Sequence, residues 1–551
     1  MGAVLNAILQ RVRRYGRLLS VLGLEVLYKL GLWKPSLSAE LGGPVSEFVR
    51  ANKVYWRAPA GGRAGILVEG HLSQYGPNYL LRTAVASKAL QEKTGLDIDV
   101  VFNGLSCQWL MARMVYESFH IRHFIYIDQQ ALLRNIVWLI WSRAVAWRIA
   151  AGLRRPEQIL DLEYGGIRVG DLVYDDVLKL HGRSTIEEID SRVRLVIARS
   201  YYFYLQYRSL FRERDYAYYI STHTAYSQYG LLCRVALSRG VRVIETTDIQ
   251  MAFYKDIARN RLPTYHDGIR NSVMAELAAP QVSREELRES AQAALERRLA
   301  SQVNQIDAAK AYRGRVYDRA DLCRMLGLPA GGRIVFVMAH VFTDAPHLSS
   351  GMLHADYYQW LLSTLKVCAR TTGVLWIVKP HPSASLYGEG GMVEKMIADM
   401  RAPNVVVCPP DLNTRSLAEC ADALVTVHGT AGLEYACLGI PTVLAGQPFY
   451  RGFGFTLEPA TVAEYEQALA HLANVAPLDE EERNRALEVY AIWDRQFDWN
   501  NPIITNEVLA NVWGSGQPRN LERAYGLITR NLQACDPRKL KLWTFAQSVV
   551  E

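Results

Sequence analysis

Residues 375–385 read LWIVKPHPSAS, and residues 421–446 read ADALVTVHGTAGLEYACLGIPTVLAG. Each contains a short apolar run bounded by turn residues, the mark of a buried strand. The first run ends in Lys379-Pro380-His381-Pro382. The second ends in His428-Gly429-Thr430-Ala431-Gly432 and passes into a helical pattern that carries Glu434. A strand, a turn of small residues and a helix start together offer backbone N–H groups and a positive helix end to an anion. In an open parallel sheet the carboxyl ends of adjacent strands face one crevice, so Lys379 and His381 would share it with that turn.

Working outward, the same alternation of strand and helix occurs in two series. Strand signals stand at 65–69, 98–102, 124–127, 217–220 and 241–244, with helical patterns over 79–91 and up to about 239. A second series stands at 334–339, 374–378, 405–407, 423–427 and 442–444. Between them, from 283 to 319, the chain is highly charged and helical and reads as a connector. Such alternation argues for parallel sheets with helices on both faces. A length of 551 residues exceeds what one core usually serves, which fits two domains. The expected division is 1–44 basic amphipathic segment, 45–282 first Rossmann-like domain, 283–330 connector, 331–478 second Rossmann-like domain and 479–551 helical tail.

The eight cysteines are scattered without a CxxC pair, several in apolar runs, which reads as buried thiols in a reducing cytosol. No apolar stretch reaches the roughly 20 residues of a membrane span, so peripheral contact is the form membrane association would take. Leu5, Ile8, Leu9 and Val12 fall at helical spacing beside Arg11, Arg13, Arg14 and Arg17, as in a helix lying on a bilayer surface. Residues 132–153 interleave Trp138, Trp141 and Trp147 with Arg134, Arg143 and Arg148, and leave open both a bilayer and a helix packed on its own domain. The net charge of +7 suits anionic partners. No zinc pattern, helix-turn-helix or basic–aromatic module points to nucleic acid.

KPHP followed by HGTAGLE and the strand GIPTVL resembles the C-terminal domain of bacterial capsule polysaccharide synthesis proteins, a family that includes Kdo transferases. IVFVMAH running into VFTDAPH, and the aromatic FYRGFGFT, stand where that family has an acidic loop and an aromatic loop. The resemblance covers mainly 320–460. It implies a GT-B fold, two Rossmann-like domains facing across a cleft, and a glycosyltransferase of capsule-type polysaccharide synthesis. The implied partners are a CMP- or UDP-linked sugar donor, a glycan or lipid-linked acceptor and the inner face of the cytoplasmic membrane, with no cofactor and no metal. Lys379, His381, His428, Gly429, Thr430, Gly432 and Glu434 are the expected donor-binding residues, Glu434 toward the ribose hydroxyls. For base or nucleophile the candidates are, in order, His71, Asp248, His223 and Asp344, with His347 also near the cleft. The segment DLEYGGIRVGDLVYDD, 161–176, is either part of an acceptor site or a surface hairpin. Alternatives are a CDP-polyol phosphotransferase of teichoic-acid type, a UDP-sugar 2-epimerase and a non-catalytic assembly partner.

Overall fold

The computed structural model describes residues 42–56, 63–70, 76–102, 108–127, 132–247, 251–255, 265–302, 310–327, 332–348, 351–497, 501–513 and 519–550. Fourteen strands lie among them. In the first half they are β1 (Ala64–Glu69), β2 (Asp97–Phe102), β3 (His123–Tyr126), β4 (Glu163–Tyr164), β5 (Ile167–Arg168), β6 (Tyr218–Ser221), β7 (Arg242–Thr246) and β8 (Met251–Tyr254). In the second they are β9 (Arg333–Met338), β10 (Val374–Lys379), β11 (Val405–Val407), β12 (Ala423–Thr426), β13 (Thr442–Leu444) and β14 (Thr456–Leu457).

Two six-stranded sheets result, ordered β3-β2-β1-β6-β7-β8 and β11-β10-β9-β12-β13-β14. The pairs are parallel except β7 with the edge strand β8. Helices cover both faces, so the central strands are apolar throughout instead of alternating: Ile66, Leu67 and Val68, and Ile334 through Val337, are all buried. These are two Rossmann-like units of one chain, the GT-B arrangement.

The segment 161–176 becomes the β4–β5 hairpin and the start of the helix Gly170–His181, much of which is buried. That helix joins the halves: Tyr174 Oη donates to Asp356 Oδ2 at 2.9 Å, and Asp175 Oδ1 lies 2.6 Å from His347 Nδ1. The connector helix Arg284–Leu299 starts on a Ser283–Glu286 capping box and buries Leu287, Ala291, Ala294 and Leu295 in one core with the helix Glu480–Arg495. Beyond residue 500 the chain returns to the first half, where Ile503, Val508, Ile528 and Trp543 share a core with Ile66, Val68 and Leu80. The tail thus completes the first unit. The basic segment 1–44 lies outside the described residues except for its last three, which open the helix Gly42–Tyr55. No described helix is long and apolar enough to cross a membrane.

Candidate functional site

The register of the second sheet sets Lys379 beside Met338 and Val425 beside Val337. The chain therefore leaves β9, β10 and β12 side by side, and a cavity of about 180 Å³ opens at their carboxyl ends. Its walls include His340, Lys379, His381, Thr430 and Glu434, with Arg298 and Tyr312 reaching in from the connector.

Neighbouring backbone groups fix where the imidazole protons sit. Ser383 N–H donates to His381 Nδ1 at 3.2 Å, so the ring proton is on Nε2. Val427 N–H donates to His340 Nε2 at 3.3 Å, and Thr426 Oγ1 lies 3.2 Å from the same nitrogen, so the His340 proton is on Nδ1. Burial, then the neighbouring His381, pushes the His340 pKa down to about 3, and the ring is neutral. It stacks on Tyr357 with centroids 4.3 Å apart. His340 is thus a neutral imidazole, and Lys379, its Nζ 3.5 Å from the Leu412 carbonyl, adds a positive charge beside it.

Glu434 also lines the cavity and is 3 % exposed. Its Oε1 accepts from Arg298 Nε at 2.7 Å and its Oε2 from Tyr312 Oη at 2.5 Å. Burial alone would lower the Arg298 pKa; Glu434 outweighs it and holds the guanidinium charged. Each carboxylate oxygen keeps a lone pair for a further donor. Arg298 Nη2 also lies 3.4 Å from Thr430 Oγ1, linking this pair to the turn.

The turn itself is arranged more by packing than for a ligand. Gly429 N–H donates to Thr426 Oγ1 at 3.2 Å. A Cβ on Gly432 would stand 2.3 Å from the Tyr450 hydroxyl, which donates to the Gly429 carbonyl at 2.6 Å. Glycine is required there so that Tyr450 can fit. The helix Ala431–Ala436 has only six residues, so its dipole is weak and an anion placed there would depend mainly on side chains. His428 sits behind the turn, its Nδ1 3.3 Å from Tyr357 Oη, and burial and the surrounding histidines hold its pKa far below the usual range.

Of the candidate catalytic groups, His71 and Asp248 lie outside the described residues. His223 and Asp344 are brought together across the two halves. Ala225 N–H donates to His223 Nδ1 at 3.0 Å, so His223 carries its proton on Nε2. Burial, opposed by Asp344, lowers its pKa to about 4, which makes it a neutral donor. Asp344 is half-exposed, 3.5 Å from Tyr226 Oη and 3.9 Å from Lys179 Nζ. Tyr226 (φ 60°) and Ala345 (φ 44°) both hold left-handed backbone at this junction, and Tyr226 opens a single wide π-turn, Tyr226–Gly230. Non-glycine residues in that region store strain, which tends to collect at functional sites.

Sequence reasoning missed His340, Arg298, Tyr312 and the carboxylates Glu69 and Glu245. His340 had a signal, since IVFVMAH ends in histidine just as the neighbouring strand ends in KPH. Glu69 and Glu245 had one too, a charge closing an apolar strand; both are 2 % exposed. Glu69 accepts from the Thr222 hydroxyl, and Glu245 accepts from Thr224 at 3.0 Å and Tyr254 at 2.8 Å. Burial pushes the Glu245 pKa up to about 7, against the pull of those hydroxyls.

The molecule is thus a two-unit GT-B protein with an anion-suited cavity in its second half. Residues 207–474 match the family described as capsule polysaccharide biosynthesis protein, a wider stretch than the motifs alone marked. No curated protein matches the chain. Solved structures that resemble it include the β-Kdo 2,4 transferase KpsC of Thermosulfurimonas dismutans, at 16% identity over 52% of this chain and 85% of that one, TM-score 0.33. Others are the S. aureus MnaA–UDP structure, at 12% identity over 78% and 91%, TM-score 0.28, and Anabaena HepE in complex with UDP-glucose, at 11% over 86% and 100%, TM-score 0.25.

Proposed function

We propose that the protein is a glycosyltransferase of capsule-type polysaccharide synthesis that takes its sugar from a CMP- or UDP-linked donor. The observation that carries this reading is the convergence of Lys379, His381 and His340 on one cavity that Glu434 also lines. Fixed donors suit the donor's phosphate, and Glu434's remaining lone pairs suit sugar hydroxyls. In transfer, the bond from the anomeric carbon to the phosphate oxygen breaks and an acceptor hydroxyl bonds to that carbon. Preorganised donors stabilise the charge left on the phosphate.

Of the candidates described, Asp344 suits the base, being a half-exposed carboxylate on the cleft, whereas His223 in its present tautomer suits a donor. The acceptor, a glycan or a lipid-linked one, is read as meeting the enzyme at the cytoplasmic face of the membrane. A thermal-shift screen against UDP, CMP, CDP and GDP tests the donor, because a ligand that binds only the folded state raises Tm. A shift with UDP or CMP supports the reading, and Asp344→Asn should then keep that shift while losing turnover. No shift with any of the four overturns it.

A further inference from the structure

The helix Leu132–Gly152 turns most of its large apolar side chains outward. An ordinary surface helix turns its large apolar side chains inward and its polar ones outward. Here Asn135, Ser142, Ala146 and Ala150 form the fully buried stripe, with Trp138 and Ile149 partly buried against the core, and the helix packs on its neighbour Ser191–Glu213. Leu133, Val137, Ile140, Trp141 and Trp147 are each more than half exposed. At helical spacing they make one apolar band along a helix of 21 residues, about 30 Å long at 1.5 Å per residue. A continuous exposed band of that kind marks an interaction surface.

Charge identifies the partner. From 132 to 155 the chain has five arginines and no acidic residue. Arg143, Arg148, Arg154 and Arg155 are exposed. Arg134, near the start of the helix, pairs at 2.7 Å with Glu213 at the end of its neighbour, so the two helices run antiparallel. Exposed Arg192 and Arg194 therefore lie at the same end as Arg148, Arg154 and Arg155. An apolar, tryptophan-bearing band on a helix whose own charges are all arginine matches the acyl boundary and phosphate layer of an anionic bilayer, with the helix lying flat.

We infer that this helix is the face by which the protein docks on an anionic lipid surface, an inference that extends the membrane-borne acceptor proposed above and names the element that meets the membrane. The test is co-sedimentation of the full chain with vesicles of phosphatidylglycerol and phosphatidylethanolamine, and with vesicles of phosphatidylcholine alone. The wild type is expected on the anionic vesicles and far less on the others. The double variant W141A/W147A is expected to partition about tenfold less. Arg143→Ser with Arg148→Ser should weaken binding to the anionic vesicles by about fivefold per charge.

These side chains are exposed, so Tm and nucleotide affinity in solution should not change in either variant. Wild type left in the supernatant, or both variants bound like wild type, would overturn the inference. So would a lipid-free dimer that the tryptophan variant dissociates, since the band would then be a contact between copies. Failure of nucleotide binding with vesicle binding intact would sink the donor reading and leave this one standing.

Discussion

The two sheets share one strand order, yet their carboxyl edges carry opposite chemistry. In the second, the residues at and just past the strand ends are Lys379, His381 and His340, donor-bearing side chains that line a cavity. In the first, Glu69 and Glu245 are closed under the hydroxyls of Thr222, Thr224 and Tyr254. The topology decides that strand ends converge, and one or two residues at each end decide what the crevice can hold. The difference fits a division of labour in which the second unit takes the donor.

Breaking the second edge should have the largest effect. Glu434→Ala leaves Arg298 charged and uncompensated in the core, and removal of one partner from a buried ion pair costs about 3–5 kcal/mol. Denaturant unfolding would read that loss, and Glu434→Gln, which can still accept from Arg298 or Tyr312, should lose clearly less. Equal stability of Glu434→Ala and the wild type would mean that the pair contributes nothing to the fold.

Acidity should separate the two edges next. His340 has a folded pKa of about 3 against 6.5 ordinarily, so its contribution is present above pH 6.5 and is lost as pH falls toward 3. Glu245 has a folded pKa of about 7 against 4.5, so its contribution is present below pH 4.5 and is lost as pH rises through 7. Each contributes a slope of at most about 1.4 kcal/mol per pH unit within its window. His340→Asn should flatten the fall in stability on the acid side, and Glu245→Gln the fall toward neutral pH. Unfolding free energies measured from pH 4.5 to 7.5 would show both, and identical slopes in all three proteins would refute the assigned burial.

All ten strands expected from the sequence are present to within about two residues, because a buried parallel strand is an unbroken apolar run. The edge strands β8 and β14 were not legible. MAFY and TL are too short to stand out, and an edge strand need not be apolar on both faces. The cluster KPH and HGTAGLE was legible because its residues follow strand ends directly. Arg298 was not, since it stands in a run of charges and its partner Glu434 is 136 residues away. The spacing of Leu287, Ala291, Ala294, Leu295 and Arg298 does place that arginine on the buried stripe of its helix. Likewise, the sequence mixed tryptophan with arginine over 132–153 without telling which face would look outward.

The central claim, that the second sheet's edge binds the nucleotide, is tested most directly by calorimetric titration of UDP and CMP into wild type, Lys379→Ala, His381→Ala and Glu245→Gln. Losing one charge-assisted hydrogen bond costs on the order of 1.5–3 kcal/mol, so the Lys379 and His381 variants should bind the preferred nucleotide about ten- to a hundred-fold more weakly, with Glu245→Gln unchanged. Unaltered affinity in the first two variants, or a loss confined to Glu245→Gln, would contradict it.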